Sequence, residues 1–128
     1  MNKDVSLKLN ELDKAIKKMS SVVFAGIVDW GQLLAIPLNE TVSIGNTFNL
    51  KLYQDHKCII FKTIIPPKES FPYHLHDFLE SNFLIEGELI DEKKTYKKND
   101  WMTYNALEGH EVVNNTDYNS EIIVIFTK

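Results

Sequence analysis

The chain has 128 residues, with 14 basic and 18 acidic side chains and a formal net charge of −4; this length suits one domain with one core. That balance excludes a general nucleic-acid binder, which needs a basic face to neutralise phosphates. All the positive charge is lysine, so no site in this chain captures a carboxylate or phosphate with a guanidinium fork.

The N-terminal stretch MNKDVSLKLNELDK is charged and lacks the apolar centre of a secretory signal. The apolar runs are too short for a bilayer-spanning helix. The expected compartment is therefore the cytoplasm, with neither membrane nor nucleic acid as a partner. Residues 4–19, DVSLKLNELDKAIKKM, set Val5, Leu9, Leu12, Ile16 and Met19 at helical spacing with lysines opposite. This predicts one amphipathic helix within residues 1–20, packed on a barrel domain formed by residues 21–128.

After Ser20 the pattern changes. The runs SVVFAGIV, FNLKLY, CIIFKTII, SNFLIEGELI, DWMTYNA, GHEVVN and EIIVIF are rich in β-branched and aromatic residues. Breaks such as PLNE, IGN, YQDHK, PPKESFP, DEKKTYKKND and NNTDYN separate them. Many short strands with turn signals and no second helical pattern predict an all-β sandwich or barrel. SVVFAGIV is apolar on both faces of a strand. An edge of that kind can add to a neighbour's sheet, so a homodimer is expected. The lone cysteine, Cys58 in KCIIF, reads as a small buried hydrophobe. EKKTYKKN reads as a solvated, charged hairpin tip.

The chemistry sits in PYHLHDFLESNFLIEG, residues 72–87. Side chains alternate between the faces of a strand, so His74 and His76 point the same way, their Cα atoms roughly 6.5 Å apart. Asp77, Phe78 and Leu79 give room for a turn, so Glu80 can open the next strand and lean back toward the pair. Gly87 marks a turn where a positive φ is tolerated. His110, after the turn-like NALEG, can supply the same face from another strand, whereas His56 lies in the turn-like YQDHK. Three imidazoles and a carboxylate suit a divalent Fe, Mn, Ni, Zn or Cu ion. Buried without a shared partner, these polar groups would be costly, and a metal removes that cost.

His74-x-His76, Glu80 after three residues and Gly87 after six more resemble the first motif of the cupin superfamily. Its second motif is matched at its end by His110 and Asn114. The chain departs from the family pattern at Lys68, Asn99 and Leu107, where glycine is usual, and at Asn105, where proline is usual. The resemblance covers roughly residues 45–128, and within the superfamily the stretch TIIPPKESFPYHLHDFLESNFLIEGELIDE, residues 63–92, resembles the branch that contains the cupin half of the zinc-binding anti-sigma factor ChrR and shares its small-barrel pattern with enzymes such as acetylacetone-cleaving dioxygenase. The anti-sigma factors carry further N-terminal His and Cys ligands that this chain lacks, so their sigma-binding role does not carry over.

The resemblance implies a double-stranded β-helix, a jelly-roll-like barrel, with the metal at its centre. It implies a metal-dependent enzyme, an oxygenase or relative, that polarises a small chelating molecule. A closed zinc site in a sensor or small-ligand-binding module is the alternative. Tyr73, Phe78, Phe83, Trp101, Met102, Tyr104 and Asn114 are candidates to line the pocket.

Overall fold

The structure, a computed structural model, describes residues 26–128. The helix expected over residues 4–19 lies outside the described residues. Eleven strands and one helix follow in chain order: β1 (Gly26–Val28), α1 (Trp30–Ala35), β2 (Thr41–Ile44), β3 (Thr47–Gln54), β4 (Cys58–Ile65), β5 (Ser70–His76), β6 (Leu79–Glu86), β7 (Glu88–Ile90), β8 (Thr95–Lys97), β9 (Trp101–Tyr104), β10 (His110–Val113) and β11 (Ser120–Thr127).

The strands form two sheets. One has the order β1-β5-β10-β7-β8 and the other β2-β3-β4-β11-β6-β9. β1 lies parallel to β5, while the other pairings are antiparallel. The expected all-β barrel is therefore present. Its long strands alternate as their sequences require. In CIIFKTII of β4, Ile59, Phe61, Thr63 and Ile65 are buried and the residues between them partly exposed. In SEIIVIFT of β11 the inward set is Ser120, Ile122, Val124 and Phe126. β4 and β11 pair over their full length, from Ser120 opposite Ile65 to Thr127 opposite Cys58. The core between the sheets takes Ile59, Phe61, Leu84, Val112, Ile122, Val124 and Phe126. Cys58 lies on the other face of β4 and is only partly buried.

Three elements differ from the sequence expectation. DWGQLLA forms α1, started by a capping box in which Asp29 Oδ1 accepts from Gln32 N (2.8 Å) and Gln32 Oε1 accepts from Asp29 N (2.9 Å). The D-x-x-Q spacing is the sequence signature of that device. α1 is held from below by Lys51, which is fully buried. Its ammonium donates to Leu33 O (2.6 Å), Ile36 O (2.5 Å) and Gln54 Oε1 (2.6 Å). Leu33 O also accepts the Ile36 amide at 3.3 Å, so the ammonium adds to the capping of the helix end. Burial lowers the Lys51 pKa. SFP, counted with a break, belongs to β5. The lysine-rich tip contains β8, whose Tyr96 is 4% exposed. The charged side chains of that tip flank one anchoring aromatic.

The backbone keeps its left-handed turns where the usual glycines are missing. Lys68, Asn99 and Leu107 have φ of 64°, 76° and 62°. Gly87 has φ of 87°, and a Cβ there would stand 2.8 Å from Ser120 Cα and 2.9 Å from Asn119 O. Contact that close admits glycine alone.

Candidate metal centre

The C-terminal end of β5 turns His74 and His76 inward, where they are 3% and 1% exposed. The two-residue turn at Asp77 and Phe78 then carries the chain from the five-stranded sheet to the six-stranded one, and Glu80, 5% exposed, enters from β6. His110, 3% exposed, opens β10 directly across from His74. The sequence thus places all four expected ligands together. One potential ligand atom from each lies within 4.8 Å of the others. Glu80 Oε1 stands 2.9 Å from His76 Nε2, 3.2 Å from His110 Nε2 and 3.7 Å from His74 Nε2.

The outer nitrogens settle which atom each ring presents. His74 Nδ1 meets Pro72 O at 2.8 Å, His76 Nδ1 meets Phe78 O at 2.8 Å, and His110 Nδ1 meets Glu108 O at 2.9 Å. A carbonyl oxygen can only accept, so each Nδ1 carries the proton. In a neutral imidazole the Nε2 lone pair then points to the centre. Three such lone pairs and an anionic oxygen converge, and only a cation or extra protons can reconcile them. This outer-shell pattern fixes tautomer and orientation in metal-binding histidines. The donor set therefore fits a divalent ion.

Two rings are packed in place as well. Phe78 stacks on His76 (centroids 4.4 Å, 10°) and Tyr104 on His110 (3.7 Å, 4°). Tyr104 in turn donates to Asp91 Oδ2 at 2.6 Å, and Tyr96 donates to the same oxygen at 3.0 Å. Burial and these hydrogen bonds push the Tyr96 hydroxyl up to about 12 and the Tyr104 hydroxyl higher still. Glu80 Oε2 accepts from Asn82 Nδ2 at 2.6 Å. Burial alone would raise the Glu80 pKa. Where extra protons rather than an ion occupy the centre, the His110, His74 and His76 Nε2 atoms donate to Glu80, which outweighs burial and holds the carboxyl well below its ordinary range.

A narrow cavity adjoins His74, Glu80 and His110. Its other walls are Leu33 of α1, Ile44, Asn49, Phe61, Thr63, Phe71, Val112, Val124 and Phe126. Its free volume is about 20 Å³, on a measure where one water needs roughly 10–15 Å³. The expected pocket residues are not among those walls. Tyr73 is 53% exposed on the outward face of β5, and Trp101 is 54% exposed. Phe83 packs on Trp101 outside the barrel (5.1 Å). Met102 is fully buried core. Phe78 and Tyr104 back the His76 and His110 rings. Asn114 ties loops together by donating to Ile65 O (2.8 Å) and Tyr118 O (2.8 Å). The sequence reading missed Asn49, Thr63 and Asn82. Each is a polar residue on the inward side of an apolar strand, a signal visible from period-two counting.

No protein-family model and no curated protein matches the sequence. Solved structures do. A predicted oxalate decarboxylase from Thermotoga maritima aligns with a TM-score of 0.62 at 20% identity, over 70% of this chain and 91% of that one. A cupin of RmlC type from Shewanella frigidimarina aligns at 0.60 and 17%, over 65% and 77%. A chain of the complex between SigE and the anti-sigma ChrR of Rhodobacter sphaeroides aligns at 0.59 and 21%, over 66% and 46%, so this chain spans about half of its length. At these identities the likeness shows the fold, which is the cupin double-stranded β-helix.

Proposed function

We propose that the protein is a metal-dependent cupin that acts on a small molecule at a centre formed by His74, His76, Glu80 and His110, in the manner of an oxygenase or related enzyme. The observation that carries this reading is the arrangement of the three imidazoles. Each Nδ1 is committed to a carbonyl, so three Nε2 lone pairs and Glu80 Oε1 share one small space. Bound there, a divalent ion of the Fe, Mn, Ni or Zn type supplies Lewis acidity toward an oxygen ligand.

The protein's own residues do the rest. Glu80 adds one negative charge to three neutral nitrogens. Asn82 holds its far oxygen, which leaves the near oxygen for the centre. The cavity beside Glu80, His74 and His110 leaves one side of the centre free of protein ligands. That opening favours a working site over a closed structural one. Its walls, apolar apart from Asn49 and Thr63, exclude bulk water and admit only a few non-hydrogen atoms unless α1 moves. The test is protein prepared without a histidine tag, stripped, and titrated with Co(II). Weak visible bands of a five- or six-coordinate ion, altered by a small chelating acid or diketone, support the reading. Intense tetrahedral bands that no such ligand alters would instead identify a closed zinc-type site.

A further inference from the structure

The cavity beside His74, Glu80 and His110 has two further polar residues in its wall, Asn49 of β3 and Thr63 of β4. They stand opposite each other in the ladder and are 2% and 1% exposed. Their inward neighbours along β4, Phe61 and Ile65, are apolar. A valine in place of Thr63 would fill the same space with no hydroxyl to satisfy, so a polar pair here costs burial energy without helping the core.

The protons of this pair can be assigned one by one. Thr47 Oγ1 lies 2.6 Å from Ile44 O. A carbonyl only accepts, so the one hydroxyl proton of Thr47 goes there. Thr47 Oγ1 can then only accept from Asn49, which turns its NH2 toward it at 3.1 Å. Val42 O, 3.5 Å from the same nitrogen, requires the same orientation. Asn49 Oδ1 is thereby left facing Thr63, and Thr63 Oγ1 donates to it at 2.6 Å. Every donor in the cluster is committed. The capacity that remains is acceptor capacity alone, on Thr63 Oγ1 and Asn49 Oδ1. Such a wall welcomes an O–H and repels a carbonyl or carboxylate oxygen, which would set lone pair against lone pair.

We infer that Asn49 and Thr63 form a subsite for a hydroxyl group, and that the substrate is a small hydroxy-carbonyl compound; this deepens, and rests on, the reading of the four-residue centre as a working metal site. The chelating oxygens go to the centre and the hydroxyl proton goes to Thr63 and Asn49. With a free volume of about 20 Å³, only the few atoms beyond the chelating pair need enter the cavity, which suits a chain of about three or four carbons.

The experiment titrates the Co(II) form of the full chain with two isosteric pairs of acids, read by its visible bands. Hydroxypyruvate is set against α-ketobutyrate, and γ-hydroxy-α-ketobutyrate against α-ketovalerate, a methyl replacing the hydroxyl in each pair. In at least one pair the hydroxy acid should bind about tenfold tighter, the effect of one well-made hydrogen bond. Thr63→Ser should keep the preference, and the double variant Asn49→Leu/Thr63→Val should lose it. Equal or methyl-favouring binding in both pairs overturns the subsite and leaves the metal reading standing, and a preference that survives the double variant does the same. Bands that none of the four acids alters overturn the metal reading and the subsite with it. Should the double variant fail to fold, methoxypyruvate decides, since it keeps the oxygen and lacks the proton. It should bind more weakly than hydroxypyruvate, and equal binding overturns the subsite.

Discussion

Replacing Glu80 with Gln isolates the charge of the centre. The carboxylate uses one oxygen toward the three histidines and the other toward Asn82 Nδ2, 2.6 Å away. A glutamine amide has one acceptor and one donor. With its oxygen toward the histidines, its NH2 faces the NH2 of Asn82. The Asn82 side chain can answer by turning over, because its Oδ1 has no hydrogen-bond partner among the described residues. The variant therefore folds, and what it loses is the negative charge.

A hydrogen bond or contact to a charged group contributes about 1.5–3 kcal/mol, so metal affinity should fall roughly 100-fold, about 2.7 kcal/mol. At a fixed metal concentration above both dissociation constants, the stabilisation by bound metal falls by the same amount. At about 3–4 °C per kcal/mol for a domain of this size, the metal-dependent rise in Tm should shrink by about 10 °C. The assay is calorimetry of both proteins, stripped and with excess metal, beside His76→Ala, which should abolish the metal-dependent rise. Equal metal-dependent rises in all three would refute the reasoning, since neither residue would then touch the ion.

Three further outcomes follow from neighbouring contacts. Asn82→Leu removes the donor that holds Glu80 Oε2, and metal affinity should fall about tenfold in a competition titration against a chelating dye; an unchanged constant would show that Asn82 does not position the ligand. Partial burial tends to raise the Asp91 pKa, but hydrogen bonds from Tyr104, from the Lys94 and Lys93 amides and from Tyr96 depress it overall. Its stabilisation is thus complete above about pH 4, the unfolded value, and disappears as pH falls through the lower folded one. Chemical denaturation of wild type against Asp91→Asn should show the difference shrinking below about pH 4, and a constant difference would contradict this. Leu107 is 64% exposed at φ 62°, a conformation that costs an L-residue about 1–2 kcal/mol. Leu107→Gly should raise stability by about 0.5–1 kcal/mol in urea after the entropy cost of glycine, and a loss would mean that Leu107 is packed rather than strained.

The clustering of the candidate ligands was legible in the sequence because two short-range rules act at once. Period-two alternation puts His74 and His76 on one face, and the short turn after them returns Glu80 to it. His110 needed a long-range pairing with β5, and only its residue type and the resemblance pointed to it. The pocket walls were harder to read. Tyr73 is adjacent to His74 in sequence, and for that reason it faces the opposite way. Phe83 fails by the same parity, standing three positions after Glu80, whereas Asn82 stands two after it and faces in. Tyr104 and Phe78 face in, yet their rings lie against the ligand rings, a distinction that depends on side-chain packing. α1 was missed because six residues are too few to show helical periodicity, although its cap was visible. The left-handed backbone at Lys68 and Leu107 shows the fold imposing a turn that the local sequence disfavours.

The most direct test of the central claim is the metal content and X-ray absorption of untagged protein, compared with a His74→Ala/His110→Ala double variant. One divalent ion per chain is expected, with nitrogen and oxygen scatterers at about 2.0–2.2 Å and the multiple-scattering signature of imidazole. The double variant should hold none. Substoichiometric metal in wild type after reconstitution, or an ion retained by the double variant, would contradict a centre built from His74, His76, Glu80 and His110.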